Sequence, residues 1–148
     1  MKPGNPPKMP RVLLVDDEPR VCAALAGVLV SEDYNVIFTE SGFEATRKFR
    51  DGIFDIVLLD LRMPGMNGWE TLAQLTFLRP LLPVIIMTAL PDQQAAAEAA
   101  GVGALLEKPL DIPVLLETMR RLLAEPIAAR FARIAGQTPF HPQPAKSP

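Results

Sequence analysis

The sequence predicts an α/β fold: five β-α units wound into one parallel sheet, with helices on both faces. Three observations predict it. Five short apolar runs recur along the chain, each is β-branched or leucine-rich rather than alternating, and a helical pattern follows each one. Strands that are apolar throughout are those buried on both faces. Strands separated by helices pair parallel through right-handed crossovers. The smallest common arrangement is the flavodoxin-like doubly wound sheet, order 2-1-3-4-5, in a single domain.

The elements follow in order. Val12 to Val15 reads as the first strand, and Pro19 opens a helix with Val21, Leu25, Val28 and Leu29 on one face. Val36 to Phe38 is the second strand, followed by a short helix over Phe43 to Arg50. Ile56 to Leu59 is the third, and Gly68 to Leu78 its helix, with Trp69, Leu72, Leu75 and Thr76 at helical spacing. Val84 to Met87 is the fourth; Asp92 is expected to cap the alanine-rich helix Gln93 to Ala100, which Gly101 ends. Ala104 to Leu106 is the fifth, and Asp111 caps a last helix whose inner face carries Val114, Leu115, Thr118, Met119 and Leu122.

Composition bounds the rest. The 148 residues make about one domain, and 49% hydrophobic with 22% charged residues suits a globular core. The longest apolar runs, such as Ile53 to Leu61, are broken by charge well short of a membrane helix, and the first residues carry no apolar signal region. Cys22 is the single cysteine, which allows no internal disulfide and suits a reducing cytosol. Prolines crowd both ends, four in the first ten residues and four in the last ten. The chain therefore divides into a proline-rich tail over 1–10, a folded unit over 11–124, and a proline-rich tail or linker start over 125–148. Ile127 to Ala135 is a short amphipathic extension of the folded unit. All 17 acidic residues lie between Arg11 and Glu125, whereas five of the 15 basic residues lie outside that span. A body so acidic argues against gripping nucleic acid through phosphates and favours a cation.

The residues just past the strands supply the chemistry. Asp16 and Asp17 follow the first strand, Asp60 the third, Thr88 the fourth, and Lys108 and Pro109 the fifth. In a parallel sheet these ends share one edge, and the first and third strands are neighbours. Three carboxylates in one pocket persist only if protonated, paired or bridged by a cation. Oxygen-only ligands point to a hard ion, Mg²⁺ first. A carboxylate can attack a phosphoryl group, and such transfer needs in-line positioning with neutralised oxygens. Asp60, on the central strand, is the candidate nucleophile; Lys108 and Thr88 would meet phosphoryl oxygens, and the small Ala89 would leave an approach path. Singly, each has a plainer reading: a solvated turn, a loop aspartate, a strand-end threonine, a surface lysine. Their placement on one rim outweighs those readings.

In these residues the chain resembles the receiver domains of bacterial two-component response regulators. The matching motifs are Val15 to Pro19, Leu59 to Gly68, Met87 to Ala89 and Glu107 to Leu110, over about Arg11 to Ala124. The resemblance implies that Asp60 takes a phosphoryl group from a histidine kinase's phosphohistidine or from a phosphotransfer protein. It implies that Asp17, Asp60 and the backbone carbonyl of Arg62 bind Mg²⁺, with Asp16 helping through water, and that the Lys108–Pro109 bond is cis. Phosphorylation would then shift the face of the fourth helix, fifth strand and fifth helix toward a downstream target, an output domain or a second copy of the chain. The protein would be a stand-alone cytoplasmic receiver or a fragment of a longer regulator, and no enzyme toward an outside substrate. Neither nucleic acid nor membrane is expected to bind this domain.

The chain also departs from the family. Leu105 stands where family members usually carry the aromatic residue that moves with the threonine, and leucine supplies neither that bulk nor a phenolic hydrogen bond. Arg62 and Leu90 occupy the positions tied to the lifetime of the phosphorylated state. Other classes fit less well. An aspartate-nucleophile phosphohydrolase usually places an acid where Arg62 stands. A flavodoxin needs a serine- and threonine-rich phosphate loop where Asp16 to Pro19 stand. A partner-binding receiver without chemistry would not need the full acidic set. Cys22 and Trp69 read as packing, His141, Arg120 and Arg121 as solvated, and Arg130, Phe131 and Arg133 as a fraying helix end.

Overall fold

A computed structural model describes residues 9–62 and 67–136. The strands are β1 (Arg11–Val15), β2 (Asn35–Thr39), β3 (Ile56–Asp60), β4 (Val84–Thr88) and β5 (Ala104–Glu107). The helices are α1 (Pro19–Ser31), α2 (Gly42–Asp51), α3 (Gly68–Leu78), α4 (Gln94–Ala99), α5 (Ile112–Leu123) and α6 (Ile127–Ile134). All strands are parallel, in the order β2-β1-β3-β4-β5. This is the predicted flavodoxin-like sheet. Among the described residues no helix is long and apolar enough to cross a membrane.

Strand alternation divides the core into two layers. Val12 and Leu14 of β1 join Leu58, Ile85 and Leu106 under α1 and α5. Leu13 and Val15 point the other way and join Val57, Leu59, Ile86 and Leu105 under α2, α3 and α4. Cys22 lies in the first layer, fully buried, and its thiol donates to the Asp16 carbonyl at 3.3 Å. Burial, reinforced by the charges of Asp16 and Glu40, pushes that thiol to about 11, so it stays protonated. Trp69 packs, half-buried, against the second layer, and Arg120 and Arg121 are exposed, as the sequence suggests.

Local chemistry accounts for most helix ends. Pro19 begins α1; Ser41, Asn67 and Asp111 accept from the backbone N–H three residues on at α2, α3 and α5. Helix α4 differs from expectation. It starts at Gln94 after Gln93, which makes no side-chain cap bond, while Asp92 sits at φ +60°. An N-cap needs extended backbone, and a left-handed aspartate cannot supply it. The other correction concerns α6, whose arginines do not fray. Arg130 Nη2 donates to the Leu122 and Leu123 carbonyls at 3.2 and 3.3 Å, and Arg133 pairs with Glu125. The remaining parts of the two proline-rich tails, 1–8 and 137–148 with His141, lie outside the described residues, as does 63–66.

Arg79 follows α3 and closes α2 from outside. Its guanidinium donates to the Phe49 and Gly52 carbonyls at 2.6 and 2.9 Å and lies 4.4 Å over the Phe49 ring. It thus satisfies carbonyls that a helix end leaves unpaired. Replacing Arg79 with methionine keeps the aliphatic stem and removes both bonds. The expected loss is about 2 kcal/mol, from charged hydrogen bonds and cation–π contact. A urea midpoint equal to the parent's would show that water serves those carbonyls equally well.

Candidate functional site at the carboxyl edge of the sheet

Sheet register builds the site before any side chain is considered. Val15 pairs with Leu59, so the next residues, Asp16 and Asp60, are set side by side on adjacent strands. Asp16 prolongs the ladder by donating its N–H to the Thr39 carbonyl at 3.1 Å. Asp16 is 0% and Asp60 4% exposed. Two carboxylates buried side by side repel, and the structure answers with one ammonium. Lys108 Nζ donates to Asp16 Oδ2 at 3.0 Å and to Asp60 Oδ2 at 3.3 Å. The Lys108 N–H donates to the Thr88 carbonyl at 2.8 Å, which carries the β4–β5 pairing one residue further and holds the lysine at the rim. The Lys108–Pro109 bond is cis.

The electrostatics follow from this triangle. Burial works against the Lys108 charge, but the hydrogen bonds and charges of Asp16 and Asp60 outweigh it and raise the lysine's pKa. For Asp60 burial dominates and raises the carboxyl above its ordinary value. The Arg62 N–H, at 3.2 Å from Oδ1, and the Lys108 charge pull the other way, and the Asp16 charge adds to the rise.

Asp60 and Lys108 also line a cavity of about 340 Å³, together with Asp17, Glu18, Arg62 and Ala89. Asp16 stands behind it, its second oxygen Oδ1 accepting the Glu18 N–H at 3.0 Å. One carboxylate oxygen from each of Asp16, Asp17 and Glu18 lies within 4.8 Å of the other two. Hard oxygen donors so gathered, with Asp60 across the same cavity, fit a divalent cation of the Mg²⁺ kind. Ala89 is exposed at the wall of this cavity. Thr88 stands back. It is fully buried, and its Oγ1 accepts the Leu90 N–H at 2.9 Å. Leu105 is 1% exposed in the layer that holds Ala97 of α4. A larger groove of about 460 Å³, between α1 and the β5–α5 connection, touches Glu18 and Lys108 but is otherwise apolar. The smaller cavity is therefore where charged chemistry can occur.

Two participants were not singled out from the sequence. Glu18 lines the cavity, and its signal was its place beside Asp17 within the motif Val15 to Pro19. Gly68, which opens α3, is the other. A Cβ there would lie 2.3 Å from Leu61 Cα and 2.7 Å from the Asp60 carbonyl oxygen. Its N–H donates to the Leu61 carbonyl at 3.0 Å, seating the start of α3 on the backbone that carries Asp60.

Comparison with known proteins agrees with this fold. The family model described as the response regulator receiver domain matches residues 12–120. The transcriptional regulatory protein ZraR of Salmonella typhimurium is 42% identical over 115 residues, covering 76% of this chain and 26% of that protein. GlrR of Escherichia coli K12, another transcriptional regulatory protein, is 38% identical over 129 residues, covering 85% and 29%. The chain spans little more than a quarter of the length of these curated relatives. Among solved structures, a CheY-like receiver domain protein of Methanospirillum hungatei superposes with a TM-score of 0.74 at 28% identity, covering 78% of this chain and 94% of that one. TrrA of Thermotoga maritima, solved in complex with Mg²⁺ and BeF, gives 0.72 at 31% identity, covering 77% and 99%. Matched by the family model over most of its length, and folded and paired at its sheet edge as described, the chain belongs to the response regulator receiver domain family.

Proposed function

We propose that this receiver is a phosphoacceptor switch of a two-component phosphorelay, with Asp60 as the residue phosphorylated. The single observation that carries the reading is the buried Asp60 carboxyl, held by Lys108 at 3.3 Å and facing a cavity shared with Asp17. A carboxylate oxygen of Asp60 attacks phosphorus, the bond to the donor breaks, and an acyl phosphate remains. Lys108 and the N–H of Arg62 stand beside the Asp60 oxygens to receive the added negative charge. Asp17, Asp60 and the Arg62 carbonyl would hold Mg²⁺, with Asp16 supporting them through water. Bound there, Mg²⁺ supplies neutralisation of phosphoryl charge. Ala89 leaves the approach open, and the Thr88 hydroxyl turns from Leu90 to meet a phosphoryl oxygen. Leu105 keeps its apolar contacts in place of the usual aromatic movement, Pro109 shapes the lysine's loop, and Arg62 and Leu90 tune the phosphoryl lifetime.

The donor is a histidine kinase or phosphotransfer protein in the cytoplasm, and the face of α4, β5 and α5 presents the result to a target, an output domain or a second copy of the chain. The switch unit is 11–124, with 1–10 and 125–148 as flanks. The chain promotes only its own phosphorylation and dephosphorylation. The relatives' length favours a second reading, that this unit serves a longer transcription regulator.

Incubation with acetyl phosphate and Mg²⁺, followed by intact-mass measurement, tests the proposal. One phosphoryl mass should appear, and a chelator should prevent it. A mass that stays at the parent value under conditions that phosphorylate another receiver would refute it.

A further inference from the structure

Helix α6 bridges the two walls of the proposed output face, and the two walls hold it very differently. Against α5 the hold is charged and specific, and it reaches the last turn of α6. Arg130 Nη2 bonds the last carbonyls of α5 at Leu122 and Leu123, and Arg133 pairs with Glu125. Against the turn between α4 and β5 the hold is bare van der Waals contact. Gly101, at φ +74° in the turn between α4 and β5, lies so close that an added Cβ would meet Ile134 Cα at 3.3 Å and Cγ1 at 3.4 Å.

The walls differ as well. Helix α5 buries Leu115, Thr118, Met119, Leu122 and Leu123, so it is well anchored. Helix α4 has six residues, no side-chain cap, and buries Ala97 alone. Its side-chain tie to the sheet is Gln94 Nε2 donating to Glu107 Oε1 at 3.3 Å, and Glu107 is the neighbour of Lys108. A short helix with so little buried apolar surface is the element that local opening selects.

From this asymmetry we infer that α6 is a strap: clamped to α5 by Arg130 and Arg133, resting through Ile134 on Gly101, and loosened when phosphorylation of Asp60 moves α4 and takes that rest away. The inference rests on the switch reading above and names the segment that carries the signal out of the domain. The Lys108 ammonium is shared between Asp16 and Asp60. A phosphoryl group on Asp60 redirects it, the adjoining Glu107–Gln94 tie shifts, and α4 moves with its Gly101 turn. Because α5 does not follow, α6 loses its seat.

Hydrogen exchange of the full chain, with and without beryllium fluoride and Mg²⁺, tests this. Exchange across 127–134 should quicken roughly tenfold on addition, within the range of ordinary coupling between sites. The 93–107 segment should respond too. In an Arg130→Ala/Arg133→Ala variant, 127–134 should exchange fast under both conditions while 93–107 still responds. If 93–107 responds and 127–134 does not, α6 is a static brace and the strap is refuted while the switch stands. If nothing responds, both readings fall. If the double variant keeps 127–134 protected, the charged clamp does not hold α6, and the strap is refuted.

Discussion

Asp60→Asn is expected to abolish the gain of phosphoryl mass and, in Mg²⁺-free buffer at pH 7, to raise the melting temperature. The two effects share one cause. An asparagine amide is no nucleophile of the carboxylate kind, so the acyl phosphate cannot form. The stability gain follows from the raised Asp60 pKa, which burial produces against the pull of Arg62 and Lys108. A carboxyl whose pKa is higher folded than unfolded stabilises the fold while protonated; that contribution is lost as pH rises through the folded value. At pH 7 the parent carries this penalty and the neutral asparagine does not. The gap in melting temperature should narrow as pH falls toward the ordinary carboxylate range, where Asp60 gains its proton first in the folded and then in the unfolded state. Melting curves from pH 4 to 8 with chelator present would check it. An Asp60→Asn protein that melts below the parent at pH 7 would mean that the Lys108 pairing outweighs burial.

Gly68→Ala carries the second large effect. The added methyl would fall 2.3 Å from Leu61 Cα and 2.9 Å from Leu61 C, so backbone must move. Overpacking of this kind costs about 1–3 kcal/mol, which in a domain of this size lowers the melting temperature by roughly 5–10 °C. The displaced backbone is that of Leu61 and Asp60, so phosphorylation by acetyl phosphate should slow by roughly 10- to 100-fold even where the variant is fully folded. Gly27→Ala is the matched control. Nothing lies within 4 Å of a Cβ at that mid-helix position, so alanine should stabilise α1 by up to about 1 kcal/mol and leave phosphorylation unchanged. A Gly68→Ala protein with parental melting and rate would show that α3 yields without disturbing Asp60.

Much of the site was legible because it depends on order along the chain. Asp16, Asp60, Thr88 and Lys108 each follow an apolar run, and parallel pairing brings such positions to one edge whatever the helices between them do. Ala89 was noticed as the small residue beside Thr88, whereas Arg62 and Leu90 were singled out only through the resemblance to receiver domains. The misreadings arose where backbone conformation or a distant partner decides. Asp92 precedes a helical pattern, but its left-handed backbone disqualifies it as a cap. Arg130 and Arg133 lack local partners in the pattern, and found them at the end of α5.

By itself the sequence determined the five strands, the helices between them and the gathering of acids at one rim, because side-chain periodicity and strand-end spacing are local properties; the strand order followed from the smallest common arrangement of such units. Tertiary structure alone decided that one ammonium bridges Asp16 and Asp60 from 92 and 48 residues away, that the Thr88 hydroxyl is engaged with Leu90, that Arg79 closes α2, and that α6 turns back onto Gly101. Each of these depends on where a long side chain or an unpaired carbonyl comes to lie once the chain is packed, which no spacing along the chain encodes.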